Sequence, residues 1–287
     1  MKKILLSMSF ILTASLGARG TTLGNGDVGS AEFQKIKKEL REKIANYQRE
    51  DSNFLIDLGK LFQYPTDEAD RQLLIGLMSA EDGFVSVTSL INLIKKFQND
   101  AGTFAQVCKV TNKMSTDLRQ EVWASLYYYS SQSDGVDLKN KLTHLKGCAL
   151  NAAMNDSSVS VRTEAVNVAV SLEPHTAGEM SQYMKLMKST DTAIRLSAAR
   201  ALLSEKKNVQ YQKIALNMYK AEKTDQAKFD MLDTLTVMSY DGEDKDGNVK
   251  RSLDASVLKE IKKLANSTRD ELLKLHYDEL LTAKAQK

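Results

Sequence analysis

The chain has 287 residues, 42% of them hydrophobic, with a formal charge of +3 and a pI near 8.6. Two prolines, 14 glycines and 7% aromatic residues leave little to punctuate hairpins or fill strand faces, which argues against a sheet-rich fold and for helix. The positive charge sits largely in the first residues: without Lys2 and Lys3 it falls to +1, and without Arg19 to 0, so the pI gives no ground for a nucleic-acid or anionic-membrane partner.

MKKILLSMSFILTASLGARG opens the chain, with Lys2 and Lys3 ahead of an apolar run from Ile4 to Leu12 and small residues after it. This is the layout of a secretory signal peptide over residues 1–20. The run is too short to span a membrane, which takes roughly 20 apolar residues, and no later segment comes close. Cleavage after Gly17, Ala18 or Gly20 fits equally well, and the mature chain is then expected to be periplasmic or secreted. Residues 21–30, TTLGNGDVGS, have no periodicity and read as a flexible leader. Gly24, Gly26 and Gly29 match the dinucleotide-binding fingerprint in letters only, since no strand precedes them.

From residue 31 to 287 the pattern is that of a single helical domain. Phe33, Ile36, Leu40, Ile44 and Tyr47 recur at three- and four-residue steps with Lys, Arg and Glu between them, which predicts one apolar stripe and one charged face. Helical spacing continues through Phe54 to Phe62, through Leu73, Leu74, Leu77 and Met78, and through Leu90, Leu93, Ile94 and Phe97. Pro65 and Pro174 fall between patterns, where the missing donor does least harm, and no segment reads as a strand. Trp123 with Tyr127, Tyr128 and Tyr129 forms the densest aromatic cluster. Three consecutive helical residues span about 200° of arc, so part of the tyrosine group is expected to leave the core and offer a binding surface. The stretch from Ser239 to Asn248 carries Asp241, Glu243, Asp244 and Asp246 and reads as a solvated acidic insertion, with weak calcium binding as the alternative. It is no EF-hand, because placing Gly247 at the loop glycine puts Gly242 and Leu253 at ligand positions. Arg251, just beyond it, reads as a surface arginine.

Self-similarity is the most informative signal. DSSVSVRTEAVNVAV from Asp156 and STDTAIRLSAARALL from Ser189 both set an aliphatic residue and an arginine before alanines, and the arginines lie 33 apart (195 − 162). A further 33 residues reach Lys228 (228 − 195), and weaker copies with looser spacing fall at Arg119, Arg71 and Arg269. The pattern resembles the HEAT family, including its short bacterial variants, in which an Asp in the inter-helix turn precedes a Val-Arg pair. Asp156 with Arg162 and Asp191 with Arg195 match best; Asp117 with Arg119 and Asp225 with Lys228 match in part. The resemblance implies an all-α, right-handed solenoid of stacked helical hairpins, clearest over residues 156–238. Asp156 and Asp191 would cap second helices, and Arg119, Arg162, Arg195 and Lys228 would form a ladder between units. Before about Arg71 the pattern fails, and capping helices or another helical fold fit equally.

The resemblance implies an architecture and no activity. The leading expectation is a non-enzymatic interaction module with a protein partner that the sequence does not identify, no cofactor and no metal. The alternative is a metal-binding protein or enzyme using Cys108, His144 and Cys148, although no fourth ligand or activating context accompanies them. In the repeat frame both cysteines fall on first helices of adjacent units. An oxidising compartment favours a disulfide between them; in a reducing one they would pack as two small apolar side chains.

Overall fold

The computed structural model describes residues 31–47, 53–97, 101–131, 142–243, 245, 249–282 and 284–285. The signal-like segment, the leader and its glycines lie outside these. The fold is mostly helical, with fourteen α-helices among the described residues, and none of them is long and apolar enough to cross a membrane. Where a single domain is expected from residue 31, the chain divides into two compact units, one ending at Ser125 and one beginning at Leu126.

The first unit holds α1 (Ala31–Ala45), α2 (Phe54–Leu61), α3 (Glu68–Leu77), α4 (Gly83–Lys96), α5 (Ala101–Thr111) and the start of α6 (Thr116–Ser131). Helix α1 packs on α2 and α3, and α3 in turn on α4 and α5. The apolar stripe expected on α1 keeps Phe33, Leu40, Ile44 and Tyr47 and departs at one position: Ile36 is 39% exposed and Lys37 only 1%. Lys37 is drawn inward by carboxylates, since its Nζ lies 2.8 Å from both Asp67 and Asp70. Asp70 is itself fully buried and also accepts from Arg41 at 2.7 Å.

In the second unit a short 3₁₀ turn (Thr143–Leu145) leads into α7 (Lys146–Asn155), α8 (Val159–Ser171), α9 (Ala177–Leu186), α10 (Thr192–Ser204), α11 (Val209–Ala221), α12 (Asp225–Met238), α13 (Ala255–Ser267) and α14 (Glu271–Thr282). These pair as hairpins, α7 with α8 and so on to α13 with α14. The second helices also pack in series, α8 on α10, α10 on α12 and α12 on α14, while α7 meets α9 and α11 meets α13. Ala165, Ala169, Ala198, Ala199 and Ala201 are fully buried along this series, where the absence of larger side chains lets neighbouring helices approach.

Three short strands interrupt the helices where none is expected: β1 (Tyr240–Glu243), β2 (Val249–Arg251) and β3 (Lys284–Ala285). β1 runs antiparallel to β2, and β3 parallel to it. The pairs Tyr240 with Arg251 and Glu243 with Val249 leave one extra residue on β1, a bulge, and Gly242 there adopts a φ of +86° that a side chain would resist. Arg251 is not a surface arginine. It is 4% exposed and donates to the carbonyls of Thr236 and Glu279, because α12 and α14 end over it with carbonyls that lack helical partners.

The first six helices recur as the next six. Lys37 on α1 donates to the Pro65 carbonyl at 2.6 Å and Lys146 on α7 to the Pro174 carbonyl at 2.5 Å, each across 28 residues. Two positions past each proline stands an N-cap, Asp67 or Thr176, and a capping box is closed by the acid at N3, Asp70 or Glu179. That acid lies beside the same lysine, at 2.8 Å for Asp70 and 3.2 Å for Glu179. The shift between the two constructions is 109 positions (146 − 37), and it carries onward. It maps both ends of α3 onto α9, the N-cap Asp82 of α4 onto the N-cap Asp191 of α10, and the start of α6 onto the start of α12. Buried residues keep the register: Val85 with Ile194, Leu93 with Leu202, Val122 with Met231, Trp123 with Leu232, and Leu126 with Leu235.

Candidate functional site

A concave site lies on the turn edge of the second unit, around Arg195. Asp191 has the extended backbone of an N-cap, and its carboxylate accepts from the Ile194 amide at 3.2 Å, which starts α10. One helical turn on, Arg195 reaches back over that turn. Its Nη1 donates to the carbonyls of Ser189 and Thr190 at 2.9 and 3.0 Å, and its Nη2 to Thr192 Oγ1 at 3.0 Å. The same guanidinium clamps Glu222, Nε to Oε1 at 2.7 Å and Nη2 to Oε2 at 2.5 Å, joining the turn before α10 to the turn before α12. The arginine side chain is 16% exposed and the glutamate 7%, so the two charges satisfy each other out of bulk water.

Arg195 and Glu222 line an open groove of about 620 Å³. Its apolar wall is Met184, Met187, Ile214 and Met218, and Lys188 and Lys223 stand exposed on it. Neither lysine has an acidic partner among the described residues.

The other residues expected in a ladder are placed differently. Arg162 donates to the carbonyls of Asp156 and Ser157, at 2.8 and 3.3 Å, within its own turn. Asp156 closes α7, and its side chain accepts from the Ser158 amide at 2.9 Å. Arg119 donates to the Met114 carbonyl at 2.7 Å. Lys228 faces Asp225 at 3.9 Å, and the cap of α12 is Thr224 instead of the aspartate. Arg71 does reach a neighbouring helix, donating to Gln106 on α5 at 3.0 Å. Tyr127 and Tyr128 are half-buried, whereas Tyr129 is 6% exposed and its hydroxyl pKa is pushed up by burial and then by Tyr128, so it belongs to the core and not to a binding surface.

Both cysteines are disulfide-bonded, and since the chain has only two, Cys108 is joined to Cys148. With both sulfurs in that bond, the group formed with His144 offers no thiolate to a metal or a substrate. Asp241 and Glu243 lie in β1, and Asp241 faces Lys206 at 3.4 Å; Asp244, Asp246 and Asn248 are outside the described residues.

Some of the perturbed titratable groups lie at the two lysine–proline constructions. Burial pushes the Asp67 carboxyl up, but hydrogen bonds from Lys37, the Asp70 amide and Arg41 outweigh it and hold the pKa at about 2. His175, next to Pro174, packs edge-on to Tyr183 with ring centroids 5.1 Å apart. Neither ring nitrogen has a hydrogen-bond partner among the described residues. Burial and then the Lys146 ammonium lower its pKa, against the opposing pull of Glu173, Glu179 and Glu205.

No protein-family model matches the chain, and no curated protein is significantly similar to it.

Proposed function

We propose that the chain is an exported HEAT-like repeat protein, a right-handed solenoid of helical hairpins, that works as a non-enzymatic protein–protein interaction module. The observation that carries this reading is the serial packing of α8, α10, α12 and α14, each with its hairpin partner, tied at one step by Arg195 and Glu222. Stacked hairpins of this kind offer turn edges and helix faces on a rigid frame, and the groove at Arg195 is such an edge. Export is supported by the N-terminal sequence and by a disulfide, a bond favoured in oxidising compartments and rare in the cytosol. The test has two parts. N-terminal sequencing of the protein recovered from outside the cytoplasm should begin after residue 17, 18 or 20. Affinity purification with the oxidised chain should then retain a protein that rebinds in purified form with a defined stoichiometry; retention no greater than on reduced, alkylated, unfolded chain would reject the interaction reading.

A further inference from the structure

We propose that the groove beside Arg195 docks an acidic segment of another protein, with a large apolar side chain seated among the methionines and carboxylates meeting Lys188 and Lys223. This rests on the interaction-module reading and names the chemistry of its partner. Four lining side chains, Met184, Met187, Ile214 and Met218, form its apolar wall, the first and third half-buried and the other two 8% exposed. Thioethers are flexible and polarisable, and they suit a surface that must adapt to an incoming chain. The charges decide which chain. The groove contains Arg195, Glu222, Lys188 and Lys223, and the first two are fully engaged with each other. What remains is two exposed ammonium groups with no acid to answer them. A basic segment is repelled there, and a neutral one leaves both lysines unanswered.

The recurrence of the helices supplies an internal comparison. In the first unit the corresponding groove is lined by Ser79, Glu81, Lys113 and Met114 among others. On the shift of 109 positions (188 − 79), Ser79 stands for Lys188, and Glu81 stands for Thr190. Its one lysine is therefore offset by a carboxylate, and an acidic segment has reason to choose the second groove alone.

The experiment is display selection of random linear peptides on the full oxidised chain, followed by titration of purified selected peptides. We expect selected sequences to carry Asp or Glu within a few residues of Leu, Met or Phe and to bind one per chain. Affinity should fall at least about tenfold in Lys188→Glu/Lys223→Glu, with little change in the exposed control Lys262→Glu. Selection of basic or uncharged peptides, two equivalent sites per chain, or affinity unmoved by the double charge reversal would overturn the assignment. In the last case the peptides bind elsewhere, so the groove fails while the interaction module stands. Failure to select any peptide also overturns the groove, and the affinity purification described above then judges the module separately. Sedimentation of the free chain excludes the remaining occupant: a dimer abolished by the same double substitution would make the partner a second copy and reject an acidic peptide.

Discussion

Replacing Arg195 by alanine removes five hydrogen bonds and leaves Glu222 with a 7% exposed carboxylate and no cation. Deleting one partner of a buried ion pair costs about 3–5 kcal/mol. Some water reaches the 16% exposed arginine side and would solvate the orphaned carboxylate, so about 2–3 kcal/mol is expected here. For a unit of this size that lowers the thermal midpoint by about 4–12 °C. Helical ellipticity followed on heating measures it, with the exposed Arg200→Ala on the same helix as control, expected within about 0.5 kcal/mol of the parent. The double replacement Arg195→Met/Glu222→Met should recover most of the loss, because no charge is then stranded. Arg195→Ala and Arg200→Ala melting together would refute the idea that this pair ties two turns.

Lys37→Met should destabilise the first unit and also change its acid response. Asp67 is held at about 2, below its unfolded value of 3.8, so its contribution is complete above about pH 4 and lost as pH falls toward 2. Acid titrations of stability should therefore be shallower over that range in the variant. His175 behaves in the opposite chemical sense: its folded pKa is lowered from 6.5, so the unfolded chain takes up the proton first and stability declines as pH falls below about 6.5. His175→Phe should flatten stability between pH 7 and 5 while changing little at pH 8, as measured by urea unfolding. Replacing both cysteines by serine opens a loop of about 40 residues and should cost about 4 kcal/mol on the chain-entropy model, read as a lower unfolding midpoint than the oxidised parent.

Helix content and most core positions were legible because burial follows the three- and four-residue spacing of apolar residues, as at Leu90, Leu93 and Ile94. Asp191 and Arg195 were legible as a pair because a cap and the first turn after it are local. Glu222 was not, since it lies 27 residues on and nothing in its own neighbourhood marks it as a partner. Lys37 misled the pattern on α1: hydropathy places a lysine outside, whereas here two carboxylates and a prolyl carbonyl answer it inside. Arg251 misled it in the same way, because the carbonyls that hold it belong to helix ends brought near only by folding. The strands were missed because two- to four-residue strands are shorter than the alternation needed to recognise one. Met184, Met187 and Met218 look like ordinary core spacing, and only the space left between the end of α9 and α11, beside the start of α10, shows that they line a groove.

A chain that holds one architecture twice also holds two candidate partners for many of its helix faces during folding. A first helix from one copy can be offered the second helix of the other, and exchange between copies or between molecules is the characteristic misassembly of tandem modules. Divergence at packed positions, such as Trp123 against Leu232, works against such errors by making the wrong fit a poor one. The cysteines add a chemical restriction. By the shift of 109 positions (217 − 108 and 148 − 39), Cys108 corresponds to Asn217 and Cys148 to Glu39, so neither thiol has a counterpart in the other copy. Within one chain only one cross-link can close, and a chain that has exchanged its modules can be distinguished by whether that link joins one molecule or two.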